Sequence, residues 1–196
     1  MDCPWDRVLY SSGEFVEACG AIVFSDNNTV CLIHHSGDEE WLLPKGRRNC
    51  GETRHAAALR EVREETGCNI MLTPLRLSTR APHSTDPPDV PDAAREYDDL
   101  TEPFMLDWRD LKGRSPGGVK LVWWFVARFQ NMSGTGEEQY EVKFVQCDQA
   151  VDLLTFQKDK NVLAKAIEVM GKQQRGNVME AMNGNGVKNG VKNGSG

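Results

Sequence analysis

No run of about 18 apolar residues occurs anywhere in the chain, and mean hydropathy is −0.51, so no membrane-spanning helix is expected. A basic surplus is also missing. The 23 Lys and Arg residues are outnumbered by 29 Asp and Glu, a net charge of −6 that argues against a nucleic-acid duplex as partner. Cysteine is sparse and unpatterned: six residues (3, 19, 31, 50, 68, 147) without a C-x-x-C spacing exclude a zinc ribbon and a thioredoxin-type site. Reduced core thiols are the expectation. The opening Met-Asp-Cys-Pro-Trp-Asp-Arg lacks the apolar stretch of a signal peptide, so the expected location is the cytoplasm, with the nucleus also open. Under that expectation the two N-x-[ST] sequons, at Asn27 and Asn131, stay unglycosylated.

What remains is the composition of a soluble globular protein, 39% hydrophobic and 27% charged, and 196 residues suit one domain with a proper core. That domain is expected over residues 1–175. Residues 176–196 end in a Val-Lys-Asn-Gly repeat that buries too little apolar surface to order itself, and are expected to form a disordered tail. Apolar patterning predicts a hairpin of Glu17–Ser25 and Thr29–His35 across an Asp-Asn-Asn turn, then a short strand at Trp41. Residues 69–80 read as β-like and 81–118 as a long loop rich in Pro, Asp and Gly. Val119–Gln130 predicts a central strand and Glu141–Val145 a last one. Helices are predicted near Gln149–Leu154 and Lys158–Lys172.

The richest segment runs from Gly46 to Cys68, with the spacing G-x5-E-x7-R-E-V-x-E-E-x-G-C. Residues 52–66 favour helix, and Gly67 is a natural terminator. At about 100° per residue, His55, Ala58, Leu59 and Val62 form an apolar stripe, while Glu61, Glu64 and Glu65 fall on the adjoining flank. Glu61 and Glu65, four apart, repel each other by a few tenths of a kcal/mol in an ordinary helix. Three such carboxylates are a liability unless a cation neutralises them. An all-oxygen donor set suits Mg²⁺ or Mn²⁺, which share their remaining positions with water and phosphate oxygens.

This segment resembles the Nudix box, the signature of hydrolases that cut diphosphate linkages with divalent-metal help. All seven fixed Gly, Glu and Arg positions agree, and only Cys68 departs from the usual aliphatic residue. The resemblance implies an α/β (α+β) Nudix fold, a mixed β-sheet sandwiched between α-helices. It implies Glu61 and Glu65 as principal metal ligands, Glu64 as a further ligand or acid, and Gly46 as a carbonyl donor. Arg60 and Glu52 correspond to the pair that braces the loop against the helix. The general base is less fixed in the family. Glu138 is preferred here, with Glu137 and Glu141 as competitors.

Specificity lies outside the box. Pro44-Lys45-Gly46 is similar to the opening of the box in diadenosine tetraphosphate hydrolases and diphosphoinositol polyphosphate phosphohydrolases. Lys45, Arg47, Arg48 and Arg54 crowd the loop, and Arg80 and Lys120 flank the long segment, giving six candidate cations for a polyphosphorylated small molecule. His34, His35 and His83 are weaker candidates, each expected to be structural. Trp123 and Trp124, adjacent on one strand, must face opposite sides, so at least one belongs to the core. With many cations and no obvious aromatic clamp, diphosphoinositol polyphosphates are favoured slightly over dinucleoside polyphosphates. ADP-ribose or another nucleoside diphosphate derivative is the alternative. A non-catalytic Nudix-fold binding module would be expected to lack one of the three glutamates, and an RNA-decapping enzyme would call for a basic RNA-binding domain.

Overall fold

The computed structural model describes residues 7–113 and 117–185. The chain divides into two compact units: one comprises the chain up to Thr73 with Thr101–Ala164, the other Pro74–Leu100 with the chain from Lys165 on.

In the first unit β1 (Phe15–Phe24) and β2 (Thr29–His35) form the hairpin that the alternation of residues 17–35 predicts, with β3 (Glu40–Leu42) paired to β2. A three-residue strand, β4 (Lys45–Arg47), lies antiparallel to β1. Helix α1 (Arg54–Thr66) follows, then β5 (Cys68–Leu72). The longest strand, β9 (Val119–Met132), is central: β1 runs parallel to it on one side, and β5 and β8 (Met105–Asp110) run antiparallel on the other. The last strand, β10 (Tyr140–Gln146), pairs with β2. One parallel pairing among antiparallel ones makes the sheet mixed.

Side-chain alternation gives that sheet two buried faces. Cys19, Ala21 and Val23 of β1 and Phe125 and Ala127 of β9 pack with Ala57, Ala58 and Val62 of α1. The intervening Ala18, Ile22, Val122 and Trp124 are equally inaccessible on the opposite face. Trp124 is thus the core tryptophan, while Trp123 is half-buried. The apolar stripe of α1 is rotated from the expected one: Ala57 is buried and Leu59 is 36% exposed. Helix α2 (Cys147–Leu153) packs on β2 and β10, and α3 (Gln157–Asn185) begins by burying Asp159, Val162 and Leu163. Cys19, Cys31, Cys68 and Cys147 are buried free thiols, and Cys50 is exposed.

The second unit holds a hairpin of β6 (Leu75–Thr79) and β7 (Arg95–Leu100), with Leu75 and Leu77 buried, as are Ala166, Val169 and Met170 of α3. The β-like stretch 69–80 holds two strands, in two different sheets, interrupted at Thr73-Pro74. Two expectations change here. The expected loop 81–118 contains β7 and β8. Helix α3 continues through Asn185, into the stretch expected to be unstructured, and residues 186–196 lie outside the described residues.

Candidate active site

Two glycines let the loop pass close to its neighbours. β4 pairs with β1 through Gly46↔Cys19 and Lys45↔Gly20, so Lys45 and Gly46 face opposite sides of the sheet. A Cβ on Gly20 would lie 2.5 Å from the Pro44 carbonyl oxygen, 2.6 Å from Lys45 Cβ and 2.7 Å from the Trp124 ring. On the other side, a Cβ on Gly46 would lie 1.7 Å from a Glu61 carboxylate oxygen. The Glu61 carboxylate therefore rests directly on the backbone of Gly46.

Helix α1 carries that carboxylate because its ends and one side are fixed. The Thr53 hydroxyl caps the N-terminus, accepting from Ala56 N–H at 3.1 Å. Gly67, at φ 70°, closes the C-terminus by donating to the Arg63 carbonyl at 2.8 Å. With Ala57, Ala58 and Val62 packed on the sheet, Glu61 and Glu64 project towards the loop.

Arg60 ties loop to helix. Its Nε and Nη2 donate to the two Glu52 oxygens at 2.8 and 2.9 Å, its Nη1 to Glu61 at 2.6 Å and Glu64 at 2.7 Å, and its Nη2 to the Arg47 carbonyl at 2.9 Å. The guanidinium holds the Glu52 carboxyl down at about 2. Glu61 moves the other way: burial raises it, against the opposing charge of Arg60. Glu65 is 8% exposed and accepts from the Lys45 backbone N–H at 2.7 Å. Burial pushes its carboxyl up to about 7, Lys45 pulls it down, and the Glu61 and Glu137 carboxylates push it up further.

Among the described residues no three His, Cys, Asp or Glu side chains converge as a ready metal cage. The reason is visible: Glu61 and Glu64 turn to Arg60, and Glu65 turns to the Lys45 amide. The donor set nonetheless fits a hard dication. Glu61, Glu64 and Glu65 offer only oxygen, and Glu61 and Glu64 already share one cationic centre.

Of the three candidate bases, Glu137 is the one whose backbone bonds to the box helix. Glu137 N–H donates to the Glu64 carbonyl at 3.0 Å, Ser133 N–H donates to the Gly67 carbonyl at 2.8 Å, and a Cβ on Gly136 would lie 2.3 Å from the Glu65 carbonyl oxygen. This loop is thus pressed onto the end of α1 and sets the Glu137 carboxylate within electrostatic reach of Glu65. Glu137 and Glu138 are both exposed, and the Glu137 carboxylate accepts from Gln139 Nε2 at 2.6 Å. Glu141 is occupied by Lys143 at 3.1 Å and His34 at 3.9 Å.

The six candidate cations separate into two groups. Arg48 and Arg54 both pair with Glu17, at 2.9 and 2.6 Å. Arg54 also lies 3.9 Å over the Trp123 ring, whose Nε1–H donates to Glu17 at 2.8 Å. Glu17, Arg48 and Arg54 line a cavity of about 400 Å³ with Glu52, His55 and Phe125, on the α1 side of the sheet. Arg80, in the second unit, is paired with Asp92 at 2.8 Å. Lys45, Arg47 and Lys120 have no ion pair among the described residues. They crowd with Arg109: burial, then Lys45, Arg109 and Arg47, hold the Lys120 amine below its ordinary value.

Sequence reasoning missed Glu17, Arg109 and Asp159. Glu17 carried no signal, being one acid at a strand start. Asp159 is 4% exposed, and burial raises its carboxyl despite the nearby Lys45 and Arg109. Among the histidines, His34 stacks on Trp41 at 4.7 Å and His83 on Tyr97 at 5.4 Å.

Comparison with known proteins agrees with this geometry. The NUDIX domain profile matches residues 14–166. The 8-oxo-(d)GTP phosphatase of Mycolicibacterium smegmatis is 25% identical over 166 residues, which is 78% of this chain and 42% of that protein. The chain therefore spans less than half the length of that relative. Among solved structures, a C. elegans Ap4A hydrolase complex superposes with a TM-score of 0.55 at 17% identity, covering 80% of this chain and 98% of that one. The E. coli dihydroneopterin triphosphate pyrophosphohydrolase gives 0.53 at 14% identity, covering 79% and 95%. Fold, box and family profile coincide on one segment: the chain belongs to the Nudix hydrolase family.

Proposed function

We propose that this chain is a metal-dependent pyrophosphohydrolase that cleaves a phosphoanhydride bond in a nucleoside-bearing polyphosphate, with dinucleoside polyphosphates and nucleoside triphosphates as the leading substrates. The observation that carries this reading is the seating of Glu61 on Gly46 beside Glu64 and Glu65, with Arg60 locking Glu52 and Glu61 into one unit. Glu61, Glu64 and Glu65 would hold Mg²⁺ or Mn²⁺, which would supply Lewis-acid polarisation of the phosphoryl oxygens and a more acidic water.

The protein's own groups do the rest. Glu137 accepts the proton of the attacking water as its oxygen bonds to phosphorus and the bridging P–O bond breaks. Lys45, Arg47 and Lys120 offset the charge of the phosphate chain. Arg60 and Glu52 position rather than react. Three of the six cations that favoured diphosphoinositol polyphosphates are engaged by carboxylates: Arg48 and Arg54 by Glu17, Arg80 by Asp92. Three unpaired cations suit a short phosphate chain. The name of the M. smegmatis relative, an 8-oxo-(d)GTP phosphatase, supports a nucleoside-bearing substrate as well.

The test is a turnover panel in Mg²⁺: diadenosine polyphosphates, nucleoside triphosphates, ADP-ribose, diphosphoinositol polyphosphates and capped RNA, for wild type and Glu65→Gln. Turnover of nucleoside polyphosphates that falls at least hundredfold in E65Q is expected. E65Q turnover near wild type at saturating Mg²⁺ refutes the assignment.

A further inference from the structure

Strand β8 lies against Val119–Trp124 of β9 and pairs with no other strand among the described residues. Its side chains alternate. Met105, Asp107 and Arg109 are half-buried, whereas Leu106 and Trp108 are 45% and 53% exposed. Leu106 and Trp108 stand opposite Trp123 and Leu121 of β9, which puts them on the α1 side of the sheet. The helix begins there, with Arg54 over the Trp123 ring, and leaves both side chains in water. The backbone alternates as well. Leu111 N–H donates to the Gly118 carbonyl at 2.8 Å, continuing the β8–β9 register, so the odd-numbered residues aim their backbone groups at β9. Leu106, Trp108 and Asp110 aim theirs at the free edge.

A free edge carrying a solvent-facing leucine and tryptophan is a template for another strand, and proteins ordinarily blunt such edges with charge or a bulge. The other outer strands of the sheet are blunted in this way. Strand β10 leaves Glu141 and Lys143 exposed, and the ladder of β5 shifts register between Asn69 and Ile70. Strand β8 is regular over its six residues, and its charges have both signs.

Those charges select a partner and a register. Two copies of β8 meeting antiparallel about a two-fold axis place the same patch against itself. With the axis at Trp108, that residue faces its counterpart, and Asp107 faces Arg109 of the second copy on both sides. The edge-facing backbone groups of Leu106, Trp108 and Asp110 then meet each other as ladder pairs. Moving the axis to Asp107 or to Arg109 sets like charges directly opposite, which is unfavourable. We infer that β8 is a homodimer interface in which two copies join edge to edge, the Trp108 side chains touching on the α1 side and two Asp107–Arg109 pairs closing the other face. Arg109 already lies 2.6 Å from Asp107 of its own chain, so the second copy completes a ring of four charges alternating in sign. A foreign segment of one charge sign would be repelled by one member of each pair.

The experiment is sedimentation equilibrium of the full chain. One strand pair is a small interface, so a dissociation constant on the order of 10 µM is expected. Asp107→Arg and Arg109→Asp should each weaken self-association at least tenfold, because each sets like charges opposite across the axis. An equimolar mixture of the two variants should associate within threefold of wild type, since every cross-axis contact is again of opposite sign. Trp108→Lys, on the exposed face, should weaken association at least tenfold, and it alone decides where a charge variant melts below the assay temperature. Wild type that stays monomeric at ten times the expected constant overturns the inference. So does a dimer that these variants leave intact, or a mixture no more associated than its two components.

Discussion

Replacing Gly46 with alanine separates the seating of Glu61 from the stability of the fold. The added Cβ would stand 1.7 Å from a Glu61 carboxylate oxygen, where ordinary contact begins near 3.4 Å. The carboxylate must therefore withdraw by about 1.7 Å, the difference of those two distances, and its 2.6 Å bond to Arg60 goes with it. A displacement of about 1 Å at a reacting centre costs roughly a hundredfold in rate, so kcat of Gly46→Ala should fall at least that far. Stability should change little, because the clash is with the free end of a side chain and Gly46 does not have a positive φ. A cost of about 1 kcal/mol, or 2–4 °C in Tm for a chain of this size, is expected. The assay is steady-state hydrolysis of a diadenosine polyphosphate in Mg²⁺ beside thermal melting. Gly171→Ala, whose Cβ meets nothing within 4 Å, is the control and should leave turnover unchanged. G46A turnover within threefold of wild type refutes the seating argument, and so does a variant unfolded at assay temperature.

Other outcomes follow from the same geometry. Arg60→Ala strands Glu52 and Glu61, both largely buried, and should destabilise the chain by about 3 kcal/mol in denaturant melts, with turnover lost as well. Glu65 predicts a pH dependence of definite sign in metal-free protein. Its carboxyl is raised from an ordinary 4.5 to about 7, so between those values the folded chain holds a proton that the unfolded chain has released. Stability from this group therefore falls as pH rises from 4.5 to 7, and the loss is complete above 7, on the order of 3 kcal/mol. The advantage of Glu65→Gln over wild type should accordingly grow from pH 5 to pH 8, and an advantage independent of pH contradicts the burial argument. Glu137→Gln should lower kcat at least tenfold where Glu138→Gln does not, and the reverse order would return the base to Glu138.

The sequence was most readable where local chemistry and long-range packing agree. The hairpin of β1 and β2, strand β9 and helix α1 carry apolar periods that only one burial satisfies, and Gly67 ends α1 at φ 70° as its composition demands. Strands β7 and β8 were unreadable because they are short, charged and flanked by Pro and Asp, and pairing rather than composition makes them strands. Proximity misled the reading of the loop arginines. Arg48 and Arg54 adjoin the box in sequence, but Glu17, more than 30 residues away, collects both. Sequence separation also hid Asp159, a buried carboxyl within electrostatic reach of Lys45 and Arg109. Glu137 and Glu138 are indistinguishable as letters. Only the fold separates them, through the Glu137 backbone bond to Glu64, which brings that residue against the end of α1.

The most direct test is titration of Mn²⁺ into the protein, followed by electron paramagnetic resonance, in the presence of methylenediphosphonate. Wild type should bind the ion with its signal broadened by the phosphonate, and Glu61→Gln, Glu64→Gln and Glu65→Gln should each weaken binding at least tenfold while melting as cooperatively as wild type. Binding of equal strength in all four proteins would contradict the account at its root.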